Sequence, residues 1–219
     1  MSTPMPERRL RIERRRSVLR ALWRGNFARR RLAPRRSDER HAVVTDWFHA
    51  QWLAISILIL LLCGADALLT LTLRVVNVNA GCAAVPNANV EIWHVDAAGD
   101  YSQYGTQTTQ TFLRGIQTTN SNGEVTFTTI YPGWYQGRAT HIHVEVTMAG
   151  RSVKATQIAF PESINNTVHA SGVYASRGTN PMSNLADGIF SDSLSSEIVT
   201  PSGSAGSGYT ASFQVAISA

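Results

Sequence analysis

The stretch PGWYQGRATHIHVEV, residues 132–146, contains the strongest structural signal in the chain. Its second half alternates polar and apolar residues, which is typical of a β-strand with one buried face. Because side chains alternate faces along a strand, His141 and His143 lie on one face and Ile142 on the other. Two histidines spaced in this way can bind one metal ion, although an isolated pair of this kind is a weak signal.

Other short runs of β-branched and aromatic residues follow residue 74, and turn residues separate them. They are LRVVNVN, NVEIWHV, EVTFTTI, KATQIAF and ASFQVAI. No long amphipathic helical pattern interrupts them. We therefore predict an all-β fold, an antiparallel β-sandwich, for residues 74–219.

The first 46 residues form an arginine-rich arm. Fourteen of the chain's 20 basic residues fall within the first 40 positions against four of its 15 acidic residues, so this region carries about +10 and the remainder about −5. The charge favours a solvated tail near anionic lipid. It does not favour specific nucleic-acid binding, because no recognisable nucleic-acid-binding fold accompanies it.

Residues 47–73 are predicted to form one transmembrane helix. Their apolar part, WLAISILILLLCGADALLTLTL, spans 22 residues with Asp66 as its single charge, and Trp47 and Trp52 mark its start. The preceding arginines place the N-terminus in the cytoplasm and the β-sandwich on the periplasmic side of the inner membrane. A buried core helix and cleavage near residues 65–67 are the alternatives. Cys63 and Cys82 are not expected to form a disulfide.

Further polar residues surround the histidine pair in the sequence. Tyr135 lies six residues before His141, and Arg138 lies three residues before it. Tyr101 follows the turn AAGD after an earlier strand. Two phenolates and two neutral imidazoles form a hard, anionic ligand set that favours ferric iron over zinc, since zinc sites are usually built from Cys, His and carboxylate ligands.

Three stretches resemble the intradiol ring-cleavage dioxygenases, the non-haem ferric enzymes that open catechols, and most closely their small exported bacterial subgroup. The stretches are VPNANVEIWHVDAAGDYS, FLRGIQTTNSNGEVTFTTIYPGWYQGRATHIHVEV and ATQIAFPE, and the resemblance extends over residues 71–219. It implies that Fe(III) is held by Tyr101, Tyr135, His141 and His143. It also implies that Arg138 and Gln157 are the catalytic residues.

The implied reaction joins a small aromatic diol with O₂ and yields a cis,cis-muconate-type diacid, with no organic cofactor. The resemblance also implies a homodimer, although the family's segment before the first strand is missing here. In its place, residues 45–72 weakly resemble short bacterial membrane proteins. The alternative function is that of a catalytically inactive, membrane-tethered binding or surface module.

Overall fold

The computed structural model describes residues 67–219, which form two β-sheets and two short α-helices. The prediction of an all-β sandwich for this part of the chain is confirmed. The helices are α1 (Glu162–His169) and α2 (Leu194–Glu197). The strands are β1 (Leu68–Asn77), β2 (Ala83–Ala84), β3 (Asn89–Trp93), β4 (Arg114–Thr118), β5 (Glu124–Ile130), β6 (His141–Met148), β7 (Arg151–Ala159), β8 (Ser202–Ser204) and β9 (Gly208–Ile217).

One strand pair departs from the antiparallel prediction. The four-stranded sheet has the order β4-β3-β6-β7 and is antiparallel throughout. In the five-stranded sheet, β1 pairs with β2 and β5 on one side and with β9 on the other, and the β1–β9 pair is parallel. These are the first and last strands, so the rest of the domain serves as the long connection that a parallel pair requires.

The core lies between the two sheets and follows from the alternation of residues along each strand. Leu69, Leu71 and Leu73 of β1 are fully buried, as are Val144 and Val146 of β6. The histidines of β6 therefore belong to the opposite face of that strand, which points away from the sandwich core.

The start of the β-domain differs from the predicted boundary at residue 74. Residues 68–73, assigned above to the end of the membrane helix, form the first six residues of β1. Their alternating Leu and Thr residues fit a strand whose polar face pairs the Thr72 and Thr126 hydroxyls at 3.0 Å. The rest of the predicted arm and helix, residues 1–66, lies outside the described residues. Among residues 67–219, no helix is long and apolar enough to span a membrane.

Two further features were not predicted from the sequence. The stretch RGIQT forms β4, an additional strand with mostly exposed side chains and therefore little hydrophobic signal. His169 ends helix α1 and is fully buried. Cys82 carries a free, exposed thiol.

Buried His94 should make the domain sensitive to acid. Its Nδ1 donates to the Val95 carbonyl at 2.8 Å, and Nε2 accepts from the Thr129 hydroxyl at 2.9 Å, so the neutral ring is fully satisfied. Burial lowers the pKa of His94 from 6.5 to about 4. The unfolded chain therefore takes up a proton at higher pH than the folded chain does. The contribution of neutral His94 to the free energy of unfolding is complete above pH 6.5, and about 3 kcal/mol of it is lost between pH 6.5 and 4.

This pH dependence can be measured by urea unfolding of wild-type protein and His94→Gln at pH 7 and pH 4, without added metal ions. The variant is expected to be less stable at pH 7 and to lose about 3 kcal/mol less than wild type on acidification. The comparison cancels the contributions of the other histidines. Equal losses in the two proteins would contradict the assignment.

Candidate metal centre

The four predicted ligand residues come from three parts of the four-stranded sheet and its connections. His141 and His143 lie at the start of β6, Tyr101 follows β3, and Tyr135 lies in the connection that leads into β6. Because β6 lies between β3 and β7, His143 has Trp93 opposite it on one side and Gln157 on the other. The strand register thus places Gln157 beside the histidines without any help from the loops.

Three of the four side chains converge on one point. The Tyr101 hydroxyl lies 3.2 Å from His141 Nε2 and 3.1 Å from His143 Nε2, and the two Nε2 atoms are 3.1 Å apart. A phenol has one hydrogen and a neutral imidazole has one. His141 uses its own hydrogen elsewhere, so at most two hydrogens serve these three contacts. At least one pair of atoms therefore faces each other without a hydrogen between them.

The orientation of His141 is set by its backbone neighbour. Its Nδ1 lies 2.6 Å from the carbonyl oxygen of Ala139, which can only accept, so Nδ1 carries the hydrogen and Nε2 presents a lone pair. Burial, and then the charge of Arg138, lower the pKa of His141 to about 3. The ring is therefore neutral at physiological pH and available as a ligand.

His143 is held by an aromatic contact instead of a backbone hydrogen bond. Its ring stacks on Trp93 with centroids 4.7 Å apart and planes 3° apart. The guanidinium carbon of Arg114 lies 5.7 Å from the Trp93 ring centroid. Burial, followed by the charges of His141 and Arg138, lowers the pKa of His143 well below its usual range. Trp93 thus orients a site residue, a role that its sequence context did not indicate.

The two tyrosines occupy different positions. Burial, and then the neighbouring Tyr135, raise the pKa of Tyr101, so without an ion its hydroxyl is a neutral phenol. A bound cation would reverse that preference. The Tyr135 ring packs edge-on against Tyr101 with centroids 5.5 Å apart, but its hydroxyl contacts Arg138 Nη1 at 3.4 Å and not the three converging atoms.

Arg138 connects the site to a carboxylate that the sequence did not indicate. Its Nη2 donates to Gln157 Oε1 at 2.5 Å, and its Nε donates to Asp187 Oδ2 at 2.8 Å. The two predicted catalytic side chains are therefore in contact beside Tyr135. Asp187 lies 49 residues after Arg138, in a stretch without a recognisable motif, so no sequence signal pointed to it.

Two glycines allow the tyrosine-bearing loops to approach each other closely. A Cβ atom on Gly133 would lie 2.2 Å from the Asp96 carbonyl oxygen, and one on Gly99 would lie 2.3 Å from the Trp134 carbonyl oxygen. Arg177 contacts both loops. Its guanidinium carbon lies 4.5 Å from the centroid of Trp134, and its Nη1 donates to the Ala98 carbonyl. Backbone packing between the two loops thus brings Tyr101 and Tyr135 together.

The donor set fits a hard trivalent cation. Within residues 67–219, no three side chains of His, Cys, Asp or Glu lie close enough to hold a metal ion. The convergent set consists instead of two imidazoles and a phenol. A triangle with edges of this size has its corners about 1.8 Å from its centre, just under the ~2.0–2.1 Å typical of a metal–nitrogen bond. Phenolate and neutral imidazole are ligand types that a hard cation such as Fe(III) accepts, and this spacing is compatible with the binding of one ion.

Comparisons with known proteins show which family the chain belongs to. A family model described as "Dioxygenase" matches residues 64–178, which is more than half of the chain. An intradiol ring-cleavage dioxygenase from Tetranychus urticae is 31% identical with a TM-score of 0.65, over 70% of this chain and 81% of that one. The dioxygenase domain of a carbohydrate-binding fusion protein from the cellulolytic bacterium Streptomyces sp. SirexAA-E is 27% identical with a TM-score of 0.51, over 70% and 80%.

A hydroxyquinol 1,2-dioxygenase from Pseudomonas putida DLL-E4 is 18% identical with a TM-score of 0.50, over 70% of this chain and 57% of that one, and this likeness concerns the fold alone. The family match and the Tetranychus relative carry more weight, because each covers most of the β-domain at meaningful similarity. The chain belongs to the intradiol ring-cleavage dioxygenase family.

Proposed function

We propose that this chain is a non-haem Fe(III) intradiol dioxygenase that cleaves a catechol-type diol with O₂ to a cis,cis-muconate-type diacid. Tyr101, Tyr135, His141 and His143 hold the iron in this proposal. The observation that carries it is the triangle formed by the Tyr101 hydroxyl and the two histidine Nε2 atoms. An inactive binding module has no need for three lone-pair donors in contact with too few hydrogens to bridge them.

The overall reaction is balanced by its two substrates. Both oxygen atoms of O₂ enter the product, and the bond between the two hydroxyl-bearing carbons of the ring is broken. Fe(III) held by these four residues would supply Lewis acidity toward a bound diol. Everything else must come from the side chains around it.

Tyr135 is placed to accept a proton. Its hydroxyl lies outside the triangle and accepts from Arg138 Nη1 at 3.4 Å. As a phenolate, its oxygen can take a proton from an incoming diol, which leaves the diol oxygen negatively charged for binding. Tyr101, in contact with both histidines, stays in place throughout.

Arg138 and Gln157 then act on the bound diol. The guanidinium is fixed against Gln157, so its charge can stabilise the negative charge that the diol brings to the site. Gln157 accepts through Oε1, which leaves its N–H₂ group as the end that can donate to the diol or to O₂. His141 and His143 hold no proton at Nε2 when they bind the metal ion.

The optical spectrum of the iron-loaded full chain tests this assignment. Phenolate bound to ferric iron gives a broad visible charge-transfer band, so the protein should be red-brown. In Tyr135→Phe the band should weaken, and iron should still bind, although less tightly, through the three atoms of the triangle. Turnover of catechol should fall about 100-fold or more, the usual cost of losing a catalytic proton acceptor. A colourless iron-loaded wild type would contradict the four-ligand site.

The product identifies the reaction. With ¹⁸O₂, mass spectrometry should show both labelled atoms in a ring-opened diacid, and absorption should show a conjugated diene. A panel of catechols with different ring substituents would define the substrate. An aldehyde-containing product would mean that the ring opens beside the diol, and not between its oxygens, and would contradict the intradiol assignment.

The setting of the domain forms part of the same proposal. The arginines of residues 1–46 and the apolar stretch before β1 support a single inner-membrane helix with a cytoplasmic N-terminus and a periplasmic catalytic domain. Protease protection of the two ends in spheroplasts would test this orientation. A homodimer is part of the proposal too, and sedimentation in detergent would test it.

A further inference from the structure

Asp187 is a buried carboxylate in the long connection between β7 and β8, beyond the residues that the family model matches. It is 2% exposed and lies in a tight turn, where its carbonyl accepts from the Phe190 and Ser191 N–H groups at 3.0 and 2.9 Å. The turn therefore has backbone hydrogen bonds of its own in addition to those that the side chain makes.

Each oxygen of this carboxylate has a defined partner. Oδ1 accepts from the Ile189 N–H at 2.8 Å. Oδ2 accepts from Arg138 Nε and from the Ala139 N–H, both at 2.8 Å. Burial alone raises the pKa of Asp187, but the hydrogen bonds from Ile189, Ala139 and Arg138 outweigh it and lower the pKa overall. The side chain is therefore a carboxylate at neutral pH.

The contact with Arg138 determines which of its nitrogens face the site. A guanidinium is planar, so anchoring Nε at Asp187 and Nη2 at Gln157 fixes the direction of Nη1, which points to the Tyr135 hydroxyl. Without Asp187, the guanidinium could rotate about the bond to its side chain. Its alignment toward Tyr135 and a bound diol would then be lost.

Ala139 links Asp187 to His141. The Ala139 N–H donates to Asp187, and the Ala139 carbonyl accepts from His141 Nδ1 at 2.6 Å. One carboxylate therefore supports both the guanidinium and the backbone segment that orients His141.

We propose that Asp187 is a positioning residue of this site, which fixes the Arg138 guanidinium toward Tyr135 and the diol and steadies the backbone that orients His141. The inference rests on the proposed function, because it assigns Asp187 a role in that reaction. Asp187 acts through Arg138 and does not touch the substrate.

The contact can be tested on metal-free protein, independently of activity. In full-length protein labelled with ¹⁵N at arginine, the Nε–H of Arg138 should exchange slowly with solvent, and its resonance should disappear in Arg138→Lys. In Asp187→Asn, exchange of this hydrogen should be at least about 10-fold faster, because the charged acceptor is gone. Asp192→Asn, an exposed aspartate in the same connection, is the matched control and should leave the exchange unchanged.

Kinetics of the iron-loaded protein complete the test. Asp187→Asn should lower kcat about 10- to 100-fold, as is typical when a residue that orients a site group is lost. KM for catechol should change by less than about 3-fold, and the visible band should remain. If Asp187→Asn does not fold, Asp187→Ser, which removes the carboxylate and leaves a smaller polar side chain, replaces it in both measurements.

The outcomes separate the two proposals. Unchanged Arg138 exchange, or unchanged kcat in a folded Asp187 variant, would overturn the positioning role while wild-type turnover upholds the proposed function. An iron-loaded wild type that turns over no catechol would overturn both, and the metal-free exchange data would show whether the contact itself exists. Faster exchange together with the selective loss of kcat would support the inference.

Discussion

Tyr101→Phe is expected to abolish iron binding and with it all ring-cleaving activity. The substitution removes one oxygen atom and leaves the ring in place. That oxygen is the corner of the triangle that touches both His141 Nε2 and His143 Nε2, at 3.2 and 3.1 Å. Loss of a residue that only supports a ligand costs about 10- to 100-fold in metal affinity, so loss of the ligand itself should cost more than about 100-fold.

The measurement is a ferric-ion titration followed by the visible charge-transfer band and by iron content after desalting. Tyr104→Phe is the matched control, because Tyr104 packs edge-on against Tyr101 with centroids 5.8 Å apart but is 47% exposed and outside the triangle. It should bind iron as wild type does. Equal loss in both variants would mean that the effect is not specific to the Tyr101 oxygen. Full iron content and colour in Tyr101→Phe would contradict the assignment of Tyr101 as an iron ligand.

The part of the site that the sequence predicts is the part that depends on strand periodicity. His141 and His143 share a face because side chains alternate along a strand, and the register of β6 and β7 then places Gln157 opposite His143. The same alternation predicts the buried Leu, Ile and Val residues of the core. These relations lie within one strand or between two neighbouring strands, so they can be predicted from the pattern of residues in the sequence.

Relations between distant segments carry no such periodic signal. Asp187 reaches Arg138 through an irregular connection, and nothing in the residues around it distinguishes it from a surface aspartate. Trp93 is a large aromatic residue of the kind usually found in a core, and only the pairing of β3 with β6 places it against His143. The parallel pairing of β1 and β9 joins the two ends of the domain, where no short connection constrains the direction.

The start of β1 shows a different limit. Leucines at alternate positions between residues 68 and 73 suit both an apolar helix and a half-buried strand, so hydropathy alone does not separate them. The strand is favoured because Leu69, Leu71 and Leu73 are buried against the second sheet while the intervening threonines face β5 neighbours of the same kind. Tertiary contacts thus decide a boundary that the local pattern leaves open.

Gly133→Ala is expected to separate the two tyrosine loops and so to damage the metal centre without touching a ligand. The added Cβ would lie 2.2 Å from the Asp96 carbonyl oxygen and 3.1 Å from the Ala97 Cα, and both are backbone atoms that cannot move by a side-chain rotation. Overpacking of this kind costs about 1–3 kcal/mol, and a backbone clash belongs at the upper end. For a domain of this size we expect Tm to fall by about 6–12 °C.

The same displacement should weaken iron binding, because Asp96 and Ala97 begin the loop that carries Tyr101, and Gly133 lies two residues before Tyr135. Thermal unfolding of the metal-free protein and a ferric titration measure the two effects separately.

Gly206→Ala is the control, since its added Cβ meets no atom within 4 Å and its backbone is not in the left-handed region. It should leave Tm and iron affinity unchanged. If Gly133→Ala lowers Tm but binds iron as tightly as wild type, the close approach of the loops stabilises the fold only. If both fall, contact between the two loop backbones holds the tyrosines at the distance that the metal requires.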